Sequence, residues 1–161
     1  MNDISQKIYP SFEAFFDTLK RWKTKNYKLV FTNGCFDLLH RGHVDYLSKS
    51  AKLGDKLIIG LNTDQSVKIL KGDKRPLMDE ESRAIVMASL QMVDAVILFD
   101  QETPYELIKS IQPNVLVKGN DYEIEEIAGF DIVLARGGTV ETIELTEGYS
   151  TSALIGKIKK L

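Results

Sequence analysis

Cysteine occurs once in the 161 residues, as Cys35. A lone thiol cannot close an internal disulfide, and this usage fits a reducing compartment. Proline is scarce, with four in all, and no repeat, low-complexity tract or proline-rich linker interrupts the chain, so no internal domain boundary is drawn. An excess of charge of one sign is missing too. The 21 basic and 23 acidic side chains leave a formal charge of −2, which argues against binding nucleic acid or membrane through bulk positive charge. Apolar runs such as Ala95–Phe99 fall far short of the ~20 residues that span a bilayer. The opening MNDISQKIYP has Asp3 and no apolar h-region, so no secretory signal is expected. These absences together predict a soluble, cytoplasmic protein. Histidine is nearly absent as well, yet both copies, His40 and His43, fall in one corner, KLVFTNGCFDLLHRGHVDYLSKSAKLGD.

What is present suits one ordinary domain. Apolar content is 43% and charged content 27%, and a domain of this length buries about 70% of its unfolded surface without a metal or disulfide staple. Phe12, Phe15, Phe16, Leu19 and Trp22 recur at helical spacing behind Ser11, a candidate N-cap. Their apolar face either covers the core or forms a dimer contact. Short apolar strands are expected at Leu29–Phe31, Leu57–Leu61, Ala95–Phe99, Val115–Val117 and Ile132–Ala135, with a short sixth over Val140–Leu145. Helical patterns lie between them. One shows Val44, Leu47, Ser48 and Ala51 on a single face and ends at Gly54; others run over Asp64–Leu70 and Asp79–Leu90. Thr103-Pro104-Tyr105-Glu106 reads as a capping box opening a helix through Ile111, and Ser150 or Thr151 caps a last one. Apolar strands alternating with helices predict an α/β fold, a doubly wound parallel sheet of about five strands with an extra N-terminal helix. In such sheets the ligand sits beyond the carboxyl ends of the strands.

His40 and His43 follow the first strand of that pattern and bracket Gly42 at a helix start. Helix N-termini offer unpaired N–H groups and partial positive charge, and glycine lets a backbone approach a ligand closely. Neither G-x-G-x-x-G nor G-x-x-x-x-G-K-[ST] occurs, so neither a dinucleotide oxidoreductase nor a P-loop NTPase is supported. Three readings of the pair compete. As metal ligands they lack a third histidine or a cysteine to complete a set. As capping or core histidines they would be inert. As donors fixed in advance they would stabilise charge developing on a phosphoryl group.

The stretch TNGCFDLLHRGH resembles the H-x-G-H signature of the nucleotidyltransferase superfamily of cytidylyl- and adenylyltransferases, whose fold is Rossmann-like. The resemblance implies that His40 and His43 contact nucleotide phosphates and stabilise the transition state as a phosphate nucleophile displaces pyrophosphate. Further pieces, LNTDQSVKILKGDKRPL, ESRAIVMASLQMVD, VKGNDY, EEIAG and TEGYSTSALI, resemble in order and spacing the adenylyltransferase half of bacterial ADP-heptose synthases. In many bacteria that half is fused behind a sugar kinase. The likeness runs from about Tyr27 to the C-terminus, giving an N-terminal helical extension over 1–26 and a nucleotidyltransferase domain over 27–161. It implies transfer of AMP from ATP to a heptose 1-phosphate, giving ADP-heptose and pyrophosphate for the lipopolysaccharide inner core. Mg²⁺ is expected to enter with the triphosphate, held mostly by phosphate oxygens and water. No resident metal site is expected, and a homo-oligomer, dimer or higher, is.

The nucleotide contacts so implied are Thr32, Asn33, Gly34, Phe36, Asp37, Gly42 and Asn62 beside the two histidines. After the fourth strand they are Lys118, Gly119 and Asp121, and at the last helix Ser150 and Thr151. Lys71 is expected to join the histidines in catalysis, while Arg75, Arg83 and Asn120 hold phosphate or substrate. The physics agrees in part. Lys68, Lys71, Lys74 and Arg75 cluster near the ligand edge, where a triphosphate and a sugar phosphate bring about five or six negative charges. The bland alternative for such a run is a solvated helix end, and for Arg83 a surface salt bridge with Asp79 or Glu80. Asp37 either orients an imidazole or fixes its loop through backbone N–H groups, and Cys35 has no role in this chemistry. TEGYSTS resembles the superfamily's second motif, but Leu145 stands where an arginine serves the nucleotide in glycerol-phosphate cytidylyltransferases. Two rivals remain open: a CTP-dependent cytidylyltransferase acting on glycerol 3-phosphate or a related alcohol phosphate, and a nucleotide-sensing scaffold without chemistry.

Overall fold

The computed structural model describes residues 3–161; Met1 and Asn2, the first residues of the expected N-terminal extension, lie outside the described residues. After a 3₁₀ turn at Ile4–Lys7 come β1 (Ile8–Tyr9), α1 (Phe12–Thr24), β2 (Leu29–Gly34), α2 (Arg41–Ala51), β3 (Lys56–Asn62), α3 (Asp64–Lys71) and α4 (Glu80–Ala88). β4 (Ala95–Phe99), α5 (Tyr105–Ile111), β5 (Val115–Gly119), α6 (Phe130–Ala135), β6 (Thr139–Ile143) and α7 (Thr151–Ile158) complete the order, with a second 3₁₀ turn at Ile124–Glu126. The sheet runs β1-β4-β3-β2-β5-β6, and every pairing is parallel.

Alternation along the strands sends side chains to two cores. Leu29, Phe31, Ile58, Ile97 and Leu116 pack with Phe15 and Leu19 of α1, Ile108 of α5 and Val133 of α6. Val30, Leu57, Ile59, Val96 and Val117 pack on the other face with Leu47 of α2 and Ala84 and Met87 of α4. Each large apolar side chain taken fully from water contributes about 1.5–3 kcal/mol, so both faces of the sheet are needed to hold the helices. The α1 stripe therefore faces the sheet, capped as expected by Ser11, whose hydroxyl accepts from the Ala14 N–H at 3.4 Å; Phe16 stays 52% exposed. Lys56 pins the far end of α1. Its ammonium lies 5.4 Å from the Trp22 ring centroid and 5.3 Å from that of Tyr27, and pairs with Asp94 at 2.9 Å.

Several local expectations are corrected. Residues 132–135, expected as a strand, lie in α6. A short apolar run carries no period that separates strand from helix, and here Val133 is buried while Leu134 is exposed, one face in and one out. The turn into α6 uses Gly129 at φ +86°, where a Cβ would come within 2.8 Å of Ile108. The two-residue β1, too short to leave a pattern, takes an edge position, so the sheet has six strands rather than about five. The Thr103–Glu106 capping box does not form; Pro104 is the N-cap of α5 and no side chain caps it. α2 ends at Ala51, before Gly54. Of the two candidate caps of α7, Ser150 serves, accepting from the Ala153 N–H at 3.0 Å.

The strand order reverses direction at β2, which has β3 on one side and β5 on the other. The crevice beyond the carboxyl ends of β2 and β5 is therefore the switch point where such sheets hold ligands.

Candidate active site

A cleft of about 400 Å³ opens at that switch point. Three connections meet there: residues 33–43 after β2, 118–122 after β5 and 145–152 after β6. Lys71 at the end of α3 and Arg75 beyond it close another side. The N-termini of α2 and α7 both end in the cleft, bringing unpaired N–H groups and two partial positive charges.

His40 is the N-cap of α2 and His43 is its third residue. Their rings stack at 3.9 Å between centroids, tilted by 26°. The His40 backbone N–H donates to Nδ1 of His43 at 3.3 Å. That acceptor role assigns the His43 proton to Nε2, making Nε2–H a donor. Burial, the neighbouring His40 and the charge of Lys71 push His43 down to about 4, and burial lowers His40 as well. Near neutrality the pair is uncharged, a set of fixed donors rather than a general base. Gly42 makes the packing possible, since a Cβ there would meet the His40 ring at 3.0 Å and Tyr149 at 3.1 Å. Phe36 sits at φ +45°, a conformation disfavoured for a bulky residue, with its ring 5.5 Å from that of His43.

The depressed histidine has a measurable consequence for stability. Unfolded histidine titrates near 6.5, so between about 4 and 6.5 the unfolded chain binds the extra proton. Stability is then full above about 6.5 and is lost as pH falls toward 4, by up to about 3 kcal/mol for His43. Urea unfolding at pH 7 and pH 4.5 should show a clear drop for the wild type and a much smaller one for His43→Gln. Equal drops in the two proteins would contradict a buried neutral His43.

The remaining expected residues divide sharply. Asn33, Gly34, Phe36, Asp37, Lys71, Arg75, Lys118, Gly119, Asp121, Ser150 and Thr151 line the cleft with the histidines and Gly42. Asn33 Oδ1 and His40 Nδ1 are buried without a hydrogen-bond partner, a state that costs about 1–3 kcal/mol per group unless something pairs with it. The Lys118 ammonium lies 3.5 Å from the Asn33 carbonyl oxygen and 5.4 Å from the Tyr122 centroid; burial lowers its pKa. Asp37, 2% exposed, fixes a loop rather than an imidazole. It accepts from the Leu77 and Met78 N–H groups and from Arg75 Nε at 2.7 Å. Burial alone would raise its pKa, but those donors outweigh it and hold the carboxyl below its ordinary value.

The structure does not bring Thr32, Asn62, Arg83 or Asn120 into the cleft lining. Thr32 is buried with its hydroxyl 2.8 Å from that of Tyr46. Asn62 donates to Ser66 Oγ at 3.1 Å, and Asn120 is exposed, its N–H spent on the Ile143 carbonyl. Arg83 is fully buried. Its guanidinium donates to the Cys35 carbonyl at 2.7 Å, the Asn62 carbonyl at 2.8 Å, the Met78 carbonyl at 3.0 Å and Asp64 Oδ1 at 2.7 Å. The surface pair with Asp79 or Glu80 is replaced by one with Asp64, in which the guanidinium is fully buried and the carboxylate partly so. Lys68 and Lys74 also lie outside the lining. Burial raises the Cys35 thiol, keeping it protonated.

Tyr46, Tyr122, Thr146 and Tyr149 line the cleft without having been singled out. Tyr149 stacks on His40 at 6.5 Å, under the Arg41 guanidinium at 5.6 Å. Thr146 donates to Asp45 at 3.0 Å, tying the β6–α7 connection to α2. Position held the only signal for them: Tyr46 lies three residues past His43, Tyr122 ends VKGNDY, and Thr146 and Tyr149 fall inside the second motif.

Among the described residues no group of three histidine, cysteine or carboxylate side chains could hold a metal ion, and no helix is long and apolar enough to cross a membrane. Of the two carboxylates lining the cleft, Asp37 is consumed by its loop and Asp121 remains.

Residues 31–157 match the family described as cytidylyltransferase-like. The chain is 51% identical over 155 residues to the bifunctional protein HldE of Wolinella succinogenes, which covers 96% of this chain and 32% of that protein. With HldE of Citrifermentans bemidjiense the identity is 54% over 156 residues, 97% of this chain and 32% of the relative. The chain thus spans about a third of the length of these relatives. A lipopolysaccharide core biosynthesis protein from Thermoplasma volcanium superposes with a TM-score of 0.60 at 28% identity, covering 77% of this chain and 99% of the other. Pantoate-beta-alanine ligase from Francisella tularensis gives 0.64 at 14% identity, over 96% and 78% of the two chains, a likeness of fold alone.

Proposed function

Since the chain belongs to the cytidylyltransferase-like family, we propose that it transfers AMP from ATP to a heptose 1-phosphate, releasing pyrophosphate and ADP-heptose. One observation carries this reading: two neutral, stacked imidazoles and two helix N-termini converge on one cleft with Lys71 and Arg75. That set suits a phosphoryl group gaining charge on its oxygens. An oxygen of the sugar phosphate attacks the α-phosphorus, a new P–O bond forms, and the bond to the β-phosphate oxygen breaks. Pyrophosphate departs with the electron pair, and no enzyme group is adenylylated on the way. His43 donates through Nε2–H, and His40 holds that tautomer through its backbone N–H. Lys71 and Arg75 offset the charge of the triphosphate and the leaving pyrophosphate, with Arg75 aimed by Asp37. The hydroxyls of Ser150 and Thr151 and the N-terminus of α7 face the same charge from the opposite wall.

Mg²⁺ fits this site only as a companion of the triphosphate, because Asp121 is the sole lining carboxylate not already engaged in the loop of Asp37; bound there, it neutralises phosphate charge. The heptose assignment draws on the motif resemblance, on identity of 51% and 54% to about a third of the length of two HldE proteins and on the likeness to the Thermoplasma lipopolysaccharide core biosynthesis protein. The same reading places the reaction in the cytoplasm, where ATP is at hand and Cys35 stays reduced, and gives the active form as a homo-oligomer.

A panel of ATP, CTP and GTP against heptose 1-phosphate and glycerol 3-phosphate, scored by pyrophosphate release, tests the assignment. Turnover is expected with ATP and heptose 1-phosphate. Turnover confined to CTP and glycerol 3-phosphate would instead establish the cytidylyltransferase reading.

A further inference from the structure

His40 has only packing to aim its ring. Its Nδ1 is buried without a hydrogen-bond partner, which leaves Nε2 as the nitrogen able to serve a ligand in the cleft. In most histidines the bond made by one nitrogen fixes the tautomer and aim of the other; here neighbouring rings must do it. Two rings stack on His40: His43 at 3.9 Å, tilted by 26°, and Tyr149 at 6.5 Å, tilted by 25°. His43 belongs to the helix that His40 caps, but Tyr149 arrives from the connection between β6 and α7. Among the described residues, no backbone hydrogen bond joins residues 144–149 of that connection to another segment. Side chains of α2 hold it instead. Asp45 Oδ2 accepts the Thr146 hydroxyl at 3.0 Å and lies 3.3 Å from Arg41 Nε. The Arg41 guanidinium in turn lies 5.6 Å from the Tyr149 ring centroid, and Lys49 Nζ donates to the Glu144 carbonyl at 3.4 Å. With its Arg41 side chain 67% exposed, the Arg41–Asp45 pair adds little to fold stability. Its effect is local: it grips Thr146 and Tyr149.

We propose that Tyr149 is a positioning residue for His40, held over the imidazole by a clasp of Arg41, Asp45 and Thr146. The layers run Arg41, Tyr149, His40, His43, and neither Arg41 nor Asp45 lines the cleft. Cation–ring and ring–ring contacts of this kind restrict a side chain without bonding to its polar atoms, so Nε2 of His40 stays free for a phosphoryl oxygen. The clasp also fixes the residue just before Ser150, the N-cap of α7. One contact thereby sets both an imidazole on one wall and a helix N-terminus on the other. The use made of His40 rests on the proposed reaction; the stack does not. A ring that stacked on the nucleobase instead would contribute to ATP binding, and its loss would fall on KM.

Two measurements separate these roles. The chain has two histidines, so the imidazole NMR signals of the free protein are few, and His40→Gln and His43→Gln assign them. Tyr149→Leu is expected to shift the His40 signals, because the ring current of the tyrosine is lost, and Arg41→Gln to shift them in the same sense by less. Tyr149 is 44% exposed, so the variants should fold, with circular dichroism as the control. In pyrophosphate release with ATP and heptose 1-phosphate, Tyr149→Leu should lower kcat roughly tenfold while KM for ATP stays within about twofold. Tyr149→Phe keeps the ring and should recover most of that loss, and Arg41→Gln should lower kcat about threefold. The double variant Arg41→Gln/Tyr149→Leu should be no slower than Tyr149→Leu alone, because both act through one stack. His40 signals that stay in place in Tyr149→Leu, an unchanged kcat, a loss confined to KM, or a double variant slowed by the product of the single effects overturns the role. The signals are read without substrate, so they decide whether Tyr149 aims His40 even if the substrate panel fails, and signals that stay in place leave the proposed reaction untouched.

Discussion

The His43→Ala protein is expected to fold with near-normal stability at pH 7 and to turn over 10²- to 10³-fold more slowly, a loss of about 3–4 kcal/mol of transition-state stabilisation. The effect should fall mainly on kcat. A neutral Nε2–H donor does most for the reacting phosphorus once its equatorial oxygens gain charge, so its removal weakens the transition state more than bound ATP. The fold should tolerate the change because His43 is only partly buried and its side chain is held by a single long hydrogen bond, from the His40 N–H at 3.3 Å. Steady-state pyrophosphate release, with circular dichroism as the folding control, decides the matter. Wild-type turnover in the variant would remove the central element of the mechanism. A nucleotide-binding scaffold, by contrast, has no turnover to lose.

Arg83→Ala should act in the opposite way, on stability rather than on phosphate binding. The guanidinium is fully buried and ties together the β2 loop through Cys35, the end of β3 through Asn62, the start of α3 through Asp64 and the segment leading into α4 through Met78. Its removal leaves three carbonyls and a carboxylate without their donor and opens a cavity, together about 3–5 kcal/mol. Lysine cannot replace it, because one ammonium cannot reach four acceptors spread around a planar fork. Chemical denaturation of Arg83→Ala and Arg83→Lys tests this. Two variants as stable as the wild type, with a raised KM for ATP, would restore the phosphate-binding role that the sequence suggested.

The histidine corner was legible because its chemistry is local. His40, Gly42 and His43 follow a strand and open a helix, so three residues of sequence carry both the donors and the backbone geometry that holds them. The strands β2, β3, β4 and β5 were legible for a related reason: strands buried on both faces must be apolar throughout. The 132–135 segment misled because six residues of helix and of buried strand look alike without their neighbours. Arg83 misled because an arginine near acidic residues looks the same in sequence whether it meets solvent, phosphate or a ring of carbonyls.

By itself the sequence determined the alternation of strand and helix, the place of the site at the strand ends, and the pair of imidazoles. Apolar periodicity and helix-start signals act over neighbouring residues, so they are written in order along the chain. Only the tertiary structure decided which cations face the cleft, that Asp37 serves a loop 40 residues away in Leu77, that Arg83 is a buried clamp, and that Tyr149 covers His40. Those outcomes depend on which carbonyls and rings the crossovers bring within a few ångströms. Burial then sets whether a charged side chain is a ligand for substrate or a fastening for the fold.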